Sequence, residues 1–407
     1  MGDGYATQTP LLATLDGVTP LYTLSNPFPD GFNHYTGSAL GLLSQVGATL
    51  NNVWPGAAQI PYNQQWNFTV QKQFTAGTVL EIAYAGNKST HLPYFQPQAP
   101  EWDQMDPAYL SRGSALLALV NNPFYGIITT PGSILAQPQV QAGQLLRPYP
   151  QYTGFQTKSA AWGNSNYHAL QSRFLKRFSG GSSVTVSYTF SKTITDAVDG
   201  LWSQAGTIRN HYDRSLERSV SSYDQPHRFV VSSNYELPFG RGRLLGASAK
   251  GPVDAIIGGW QVNGILTLAT GLPLYNWGLS TNTGYNFGGG QRPDYNGQSL
   301  SLGSAQSIDK WFNTAAIVQP AAFTFGNLSR TVAAVRRDSA HNIDLSLFKT
   351  FRPKEGLRVE FRAEAFNLTN SPLFSGPNVT VGSSLFGVVS SQENDPRQVQ
   401  LGLKLLF

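Results

Sequence analysis

Arg358, Glu360, Arg362 and Glu364 alternate in charge at every second position of the run LRVEFRAEAF. In an extended chain such residues share one side, so the four form a single row. If this strand crosses a membrane, an arginine facing lipid would cost ~2–4 kcal/mol near the midplane, so the row must face a lumen, where it braces the wall or lines a substrate path. It does not do general acid–base work, which needs a carboxylate or imidazole aimed at one reacting atom. Asp344 joins the row if 341–351 and 357–368 form a hairpin, because pairing Phe351 with Leu357 sets Asp344 diagonal to Arg362. Other candidates are sparse. The six histidines, His34, His91, His168, His211, His227 and His341, stand apart without His-x-x-x-His or HExxH spacing. No G-x-S-x-G elbow is present. Asp103 with Asp106, and Asp196 with Asp199, are carboxylate pairs without the spacing of a calcium loop. Gly288–Gly290 is not followed by Lys-Ser or Lys-Thr and a helix, so it reads as a flexible loop and not a phosphate cradle. Catalytic residues, cofactors and metals are not expected.

A second group is aromatic. Tyr275, Trp277, Tyr285, Phe287, Trp311 and Phe312 fall in one long Gly- and Asn-rich stretch, 271–340. Rings in such a stretch serve as contacts for a bound cargo or pack the stretch against its neighbours. The sequence leaves both readings open.

What must position these residues is a set of strands. Nine segments carry period-two patterning: 62–74, 78–86, 166–178, 183–192, 227–238, 259–270, 341–351, 357–368 and 397–407. In SVTVSYTFS, Val184, Val186, Tyr188 and Phe190 take one face, and Ser183, Thr185, Ser187, Thr189 and Ser191 the other. The links alternate. Those at 75–77, 179–182 and 352–356 are short and 239–258 is intermediate, whereas 87–165, 193–226, 271–340 and 369–396 are long. Compact soluble domains seldom carry several open loops above ~12–15 residues; outer-membrane barrels do, at one rim only. Hairpin parity agrees with a common apolar face. Phe74 opposite Thr78 sets Val70 beside Ile82, Phe351 opposite Leu357 sets Leu347 beside Phe361, and Phe178 opposite Val184 sets Phe174 beside Tyr188. Phe74, Phe178, Phe239, Trp260, Phe351 and Phe407 all lie at the short-link ends, where an interfacial aromatic girdle belongs. The expected fold class is all-β, an antiparallel transmembrane β-barrel in part.

Composition agrees. Only 13% of the 407 residues are charged and 12% are aromatic, against about 25% charged in ordinary soluble domains. The net charge is +5, from scattered Lys and Arg, so no nucleic-acid footprint is formed. There is no cysteine, which suits an envelope protein built without disulfides. No run reaches the ~18–20 apolar residues of a membrane helix, and the start MGDGYATQTP lacks the pattern of an export signal.

Several stretches, in consistent order over roughly residues 20–407, resemble Oar-like TonB-dependent outer-membrane receptors. They include PYNQQWNFTVQKQFTAGTVLEIAYAGNKSTHLP, NSNYHALQSRFLKRFSGGSSVTVSYTFSKTITDA, DQPHRFVVSSNYELPFGRGR, GGWQVNGILTLATGLPL and KWFNTAAIVQPAAFTFGN, with NIDLSLFKTF and LRVEFRAEAFNLTNSPLF. The resemblance implies the C-terminal part of a barrel of about 22 strands around a plug. It also implies partners: outer-membrane lipid and lipopolysaccharide, the β-barrel assembly machinery, a cargo of unknown identity, and the TonB complex through parts outside this sequence. On that reading residues 1–61 are an extracellular loop remnant of a truncated barrel, and 62–407 the barrel wall. The closing RQVQLGLKLLF, with Val399, Leu401, Leu403, Leu405 and Phe407 on one face, is similar to the signal that the assembly machinery reads. His227, ahead of Arg-Phe-Val-Val, sits at the outer rim. Two other readings stay open, a surface protein of structural or adhesive role and a secreted soluble β-sandwich.

Overall fold

The computed structural model describes residues 9, 11–53, 59–95, 101–157, 159–178, 181–197, 208–354 and 356–407. Nine strands lie side by side in chain order: β1 (Tyr62–Thr75), β2 (Thr78–Phe95), β3 (Ser159–Arg177), β4 (Ser183–Thr195), β5 (His227–Glu236), β6 (Trp260–Ala269), β7 (Ala340–Lys354), β8 (Leu357–Phe366) and β9 (Gln398–Leu406). Each pairs antiparallel with the next. A two-residue strand, Ser219–Val220, adds to the end of β4. The sheet is open: among the described residues β1 pairs only with β2, and β9 only with β8. β2 and β3 run for 18 and 19 residues, well beyond the ~9–11 that cross a bilayer, so their upper ends stand clear of any membrane.

The two faces keep their chemistry across all nine strands. Pairing carries one face through Phe68, Tyr84, Leu170, Phe190 and, further round, Val231, Leu266, Ile343, Ala365 and Val399. The opposite face carries Asn67, Gln71, Arg173, Ser187, Asn234, Asn263, Ser346, Glu364 and Gln400. β9 is the clearest case. Val399, Leu401, Leu403, Leu405 and Phe407 are all exposed on the apolar face.

Register differs from the sequence expectation at two hairpins. β1 and β2 pair as expected, Val70 with Ile82 and Phe68 with Tyr84, though Phe74 falls into a bulge between Gln73 and Thr75. In β7–β8, Leu347 faces Ala363 and not Phe361, because β7 continues to Lys354 and turns tightly through a bulge. In β3–β4, Phe174 faces Val186 and not Tyr188. Here Phe178 leaves the ladder and its N–H bonds the Ser182 carbonyl at 2.9 Å, closing the turn earlier. Both slips are of two residues, so every side chain stays on its face. One consequence is local: Asp344 is not diagonal to Arg362 but lies level with the end of β8, where its Oδ1 accepts from the Asn367 N–H at 2.9 Å.

The long connections are folded, not open. Segments 271–340 and 369–396 share a core of Leu274, Trp277, Phe312, Ile317, Val332 and Val381 with further apolar neighbours. Ile128, Leu135 and Val140 form another, against which Val46 packs. Thr49–Val53 runs parallel to Gly154–Thr157, which ties part of the N-terminal segment to 101–157.

Candidate functional site

The polar face is hollow. Ser232, Asn234, Asn263, Asp344, Ser346 and Glu364, together with the apolar Ile265, Leu345 and Phe366, line a cavity of about 460 Å³ on β5–β8. Strand alternation aims the polar groups there, and hydrogen bonds hold them. Ser183 Oγ donates to Asn234 Oδ1 at 2.6 Å, Asn263 Nδ2 to Ser346 Oγ at 3.4 Å, and Gln400 Nε2 to Glu364 Oε2 at 2.5 Å. Arg358, Glu360, Arg362 and Glu364 share this face of β8. Arg362 pairs with Glu360 and lies 4.8 Å over the Phe348 ring. Glu360, Arg362 and Glu364 are thus held by neighbours in the wall. What such a surface offers is many weak, geometrically fixed hydrogen bonds to a polar partner. Among the described residues no group of three or more His, Asp or Glu side chains is placed to hold a metal.

At the short-link rim, Phe74, Phe178, Phe239 and Phe407 are exposed, and Trp260 and Phe351 half-buried. Trp260 and Phe351 belong to the apolar face, while Phe239 sits in the β5–β6 link and bridges to Leu245. A second belt lies toward the long-loop rim, and of it the sequence reading placed only His227. Tyr84 meets His168 through a 2.8 Å hydrogen bond between the hydroxyl and Nδ1, and Tyr188 meets His227 in the same way at 2.8 Å. Trp66 lies tilted against His168 and Phe190 against His227, all on the apolar face. Part of the signal was there: these Tyr and His residues occupy apolar-parity positions, where amphipathic rings suit an interface.

Of the loop aromatics, Phe312 is fully buried, and Trp277 and Trp311 are buried beside it. Trp277 and Phe312 meet edge-on at 5.4 Å, and Trp311 Nε1 donates to the Arg336 carbonyl at 2.7 Å. Those three rings hold the loops together and present no face to solvent. Tyr275 is half-buried under Arg337. Tyr285 is 42% exposed and tilts against Phe323 at 5.2 Å. Both residues have positive φ, 44° and 60°, a conformation that costs a bulky side chain on the order of 1–3 kcal/mol. Gly288–Gly290 is not a flexible segment. A Cβ on Gly288 would lie 2.8 Å from Glu101, one on Gly289 would lie 3.0 Å from the Arg209 carbonyl, and Gly290 N–H bonds that carbonyl at 2.8 Å. Glycine is needed here so that three segments can approach closely.

The paired aspartates are engaged inside the fold. Asp106 Oδ1 accepts from Ala108 N–H at 2.8 Å at the start of Pro107–Leu117. Asp103 accepts from Tyr149 N–H at 2.7 Å and meets Arg147 Nε at 3.0 Å. Asp196 Oδ1 accepts from Asn164 N–H at 2.5 Å, and Asp199 lies outside the described residues. Burial pushes the Asp103 carboxyl up to about 6, with Arg147 opposing, and burial raises Glu101 in the same direction. An Asp103 raised above its ordinary 3.8 favours the folded loop below that value and loses the advantage as pH rises through about 6. Amide exchange in 101–157, corrected for intrinsic rate, is thus expected to be better protected at pH 5 than at pH 7, by about 1 kcal/mol. Asp103→Asn should reduce that dependence, leaving the part that Glu101 carries. A wild-type profile already flat over this range would refute the assignment.

An open antiparallel wall with an apolar face, a polar hollow and folded loops on one rim defines a β-barrel membrane protein. The chain belongs to the outer membrane beta barrel domain family, whose model matches residues 3–400, and its place is the outer membrane. No curated protein matches it. Among solved structures it is similar to the outer membrane transporter YddB of Escherichia coli, at 8% identity and TM-score 0.43, with 89% of this chain covered and 34% of that one. It is also similar to FpvA of P. aeruginosa in complex with a pyoverdine and iron, at 9% identity and TM-score 0.36, over 84% of this chain and 26% of that one. The chain thus spans about a third or less of the length of these structures.

Proposed function

We propose that the chain is the wall of an Oar-like TonB-dependent receptor, taking cargo at its folded loops and passing it through the lumen beside a plug. The observation that supports this most is the face of the open wall that carries Asn234, Asn263, Ser346, Glu364 and Gln400 from strand to strand, around a cavity of mixed polar and apolar lining. A closed soluble sandwich would fill its interior with apolar side chains, whereas a receptor wall of about 22 strands needs polar groups to meet a plug. Asp344 and the Arg358–Glu364 row then brace or contact that plug. Residues 1–61 belong to an extracellular loop, consistent with the pairing of Thr49–Val53 with Gly154–Thr157. The rim of short links is periplasmic, with Phe74, Phe178, Phe239, Trp260, Phe351 and Phe407 as its girdle. The β9 row from Val399 to Phe407 is the sequence that the assembly machinery reads, and lipopolysaccharide meets the long-loop belt. Among the loop aromatics, Tyr285 is the cargo contact. The polar wall and folded loops suit the passage of a cargo, and we read the chain as a transporter part.

The test is uptake. Given an export signal and expressed in a receptor-deficient strain, the chain should fractionate with the outer membrane and migrate differently on gels after heating. Energised uptake should be absent until plug and TonB box are supplied. Uptake by this chain alone would sink the plug-dependent mechanism.

A further inference from the structure

The link between β5 and β6 does not hang free below the sheet. Its helix Pro252–Ile257 folds back so that its C-terminal carbonyls lie against the apolar face of the wall. Trp260 Nε1 donates to the Ile256 carbonyl at 2.8 Å, and Lys349 Nζ donates to the carbonyls of Ile256, at 3.1 Å, and Gly258. Trp260 and Lys349 are cross-strand partners on that face, with the ammonium 5.1 Å from the indole ring. Cationic groups are favoured at helix C-termini, so Lys349 pins the link outward. Gly259 permits the sharp entry into β6. It has φ +71°, and a Cβ there would fall 2.2 Å from the Thr350 carbonyl.

Pinned in this way, the link presents an odd surface. Leu244 is 85% exposed, Ile256 69% and Val253 56%. Around them are the exposed cations Arg241, Arg243 and Lys250. Arg243 pairs with Glu236, and Asp254 accepts from the Arg241 backbone N–H at 2.6 Å. Among the described residues the Arg241 and Lys250 side chains have no acidic partner. Apolar side chains beside unpaired cations are the make-up of a segment lying in a membrane interface, and basic residues there attract anionic lipid. The surface is continuous with the wall face that carries Trp260, Val262 and Leu347.

We propose that this link is a membrane foot. Leu244, Val253 and Ile256 enter the headgroup boundary of the periplasmic leaflet, and Arg241 and Lys250 take the phosphate of an anionic phospholipid. The inference rests on the barrel orientation given above, and the experiment separates the two.

Because the chain has no cysteine, single labels can be placed cleanly. Ile256→Cys and Leu403→Cys, each carrying a fluorophore, would be folded into vesicles of phosphatidylcholine with brominated phosphatidylglycerol, or with brominated phosphatidylcholine at the same fraction. Bromine should quench both labels, and at Ile256→Cys the phosphatidylglycerol form should quench more. Adding Arg241→Gln and Lys250→Gln should remove that preference, weakening it by about fivefold per charge. Free glycerophosphate should not compete. Quenching at Leu403→Cys without quenching at Ile256→Cys overturns the foot and leaves the barrel standing. Equal quenching by the two lipids overturns the roles of Arg241 and Lys250. No quenching at either position overturns the membrane-facing wall, and the foot with it.

Discussion

Leu401→Arg is expected to abolish stable insertion, while Gln400→Arg, one residue away, leaves it intact. Leu401 lies on the exposed apolar face of β9 opposite Ala363, and Gln400 on the polar face opposite Glu364. An arginine facing lipid near the bilayer midplane costs ~2–4 kcal/mol, and one facing the lumen costs little. At position 400 it would also find Glu364, which already accepts a hydrogen bond from Gln400 at 2.5 Å. Folding into vesicles, followed by heat-modifiable migration and a urea titration, reads the difference directly. A soluble sandwich would bury the same apolar face in its core, so Leu401→Arg would be costly there as well; what separates the two is that the barrel wall folds only when vesicles are present. Equal tolerance of the two substitutions would refute the lipid-facing assignment.

How much of this was legible beforehand follows from what periodicity can and cannot carry. Alternation in SVTVSYTFS or LRVEFRAEAF identifies a strand and its faces, and all nine strands appear where the patterns lie. Ends were harder. Asn87–Phe95 is part of β2, yet its residues Asn87, Lys88, Ser89 and Thr90 carry no apolar face to be seen, because that end of the strand stands above the membrane. Register was partly hidden for a different reason. A slip of two preserves every face, so Leu347 opposite Ala363 and Leu347 opposite Phe361 are indistinguishable by pattern; only the tight turn at Lys354 and Leu357 decides. Loop burial was hidden altogether. Phe312 and Trp277 lie in irregular chain with no repeat to say which way a ring points, and the close approach of Gly288 to Glu101 involves residues far apart in sequence. The polar hollow was legible as a face but not as a cavity, since its shape depends on strands from 183 to 366 curving together.

Arg292→Met should loosen the loop assembly on the scale of truncating one of its buried aromatic rings. Arg292 and Glu217 are buried together, with side chains 8% and 3% exposed, and Arg292 Nη2 bonds both carboxylate oxygens. Glu217 also accepts from the Arg209 backbone N–H at 3.2 Å, and Arg292 Nη1 reaches the Leu328 carbonyl at 3.4 Å. The pair thus joins segment 208–226 to segment 271–340. Removing one partner leaves a charge in a dry site, which costs about 3–5 kcal/mol, whereas replacing both by apolar residues of similar volume is often close to neutral. Hydrogen exchange over 271–340 in the folded protein should therefore rise sharply in Arg292→Met and in Glu217→Leu, and fall back in the double variant. Arg209 limits the size of the effect. Burial and Arg292 hold its guanidinium below its ordinary value, and Glu217 opposes that shift; with Arg292 gone, Arg209 becomes the nearer counter-charge and recovers part of the loss. If Arg209→Met added to Arg292→Met costs no more than Arg292→Met alone, that compensation is absent and the pair acts in isolation.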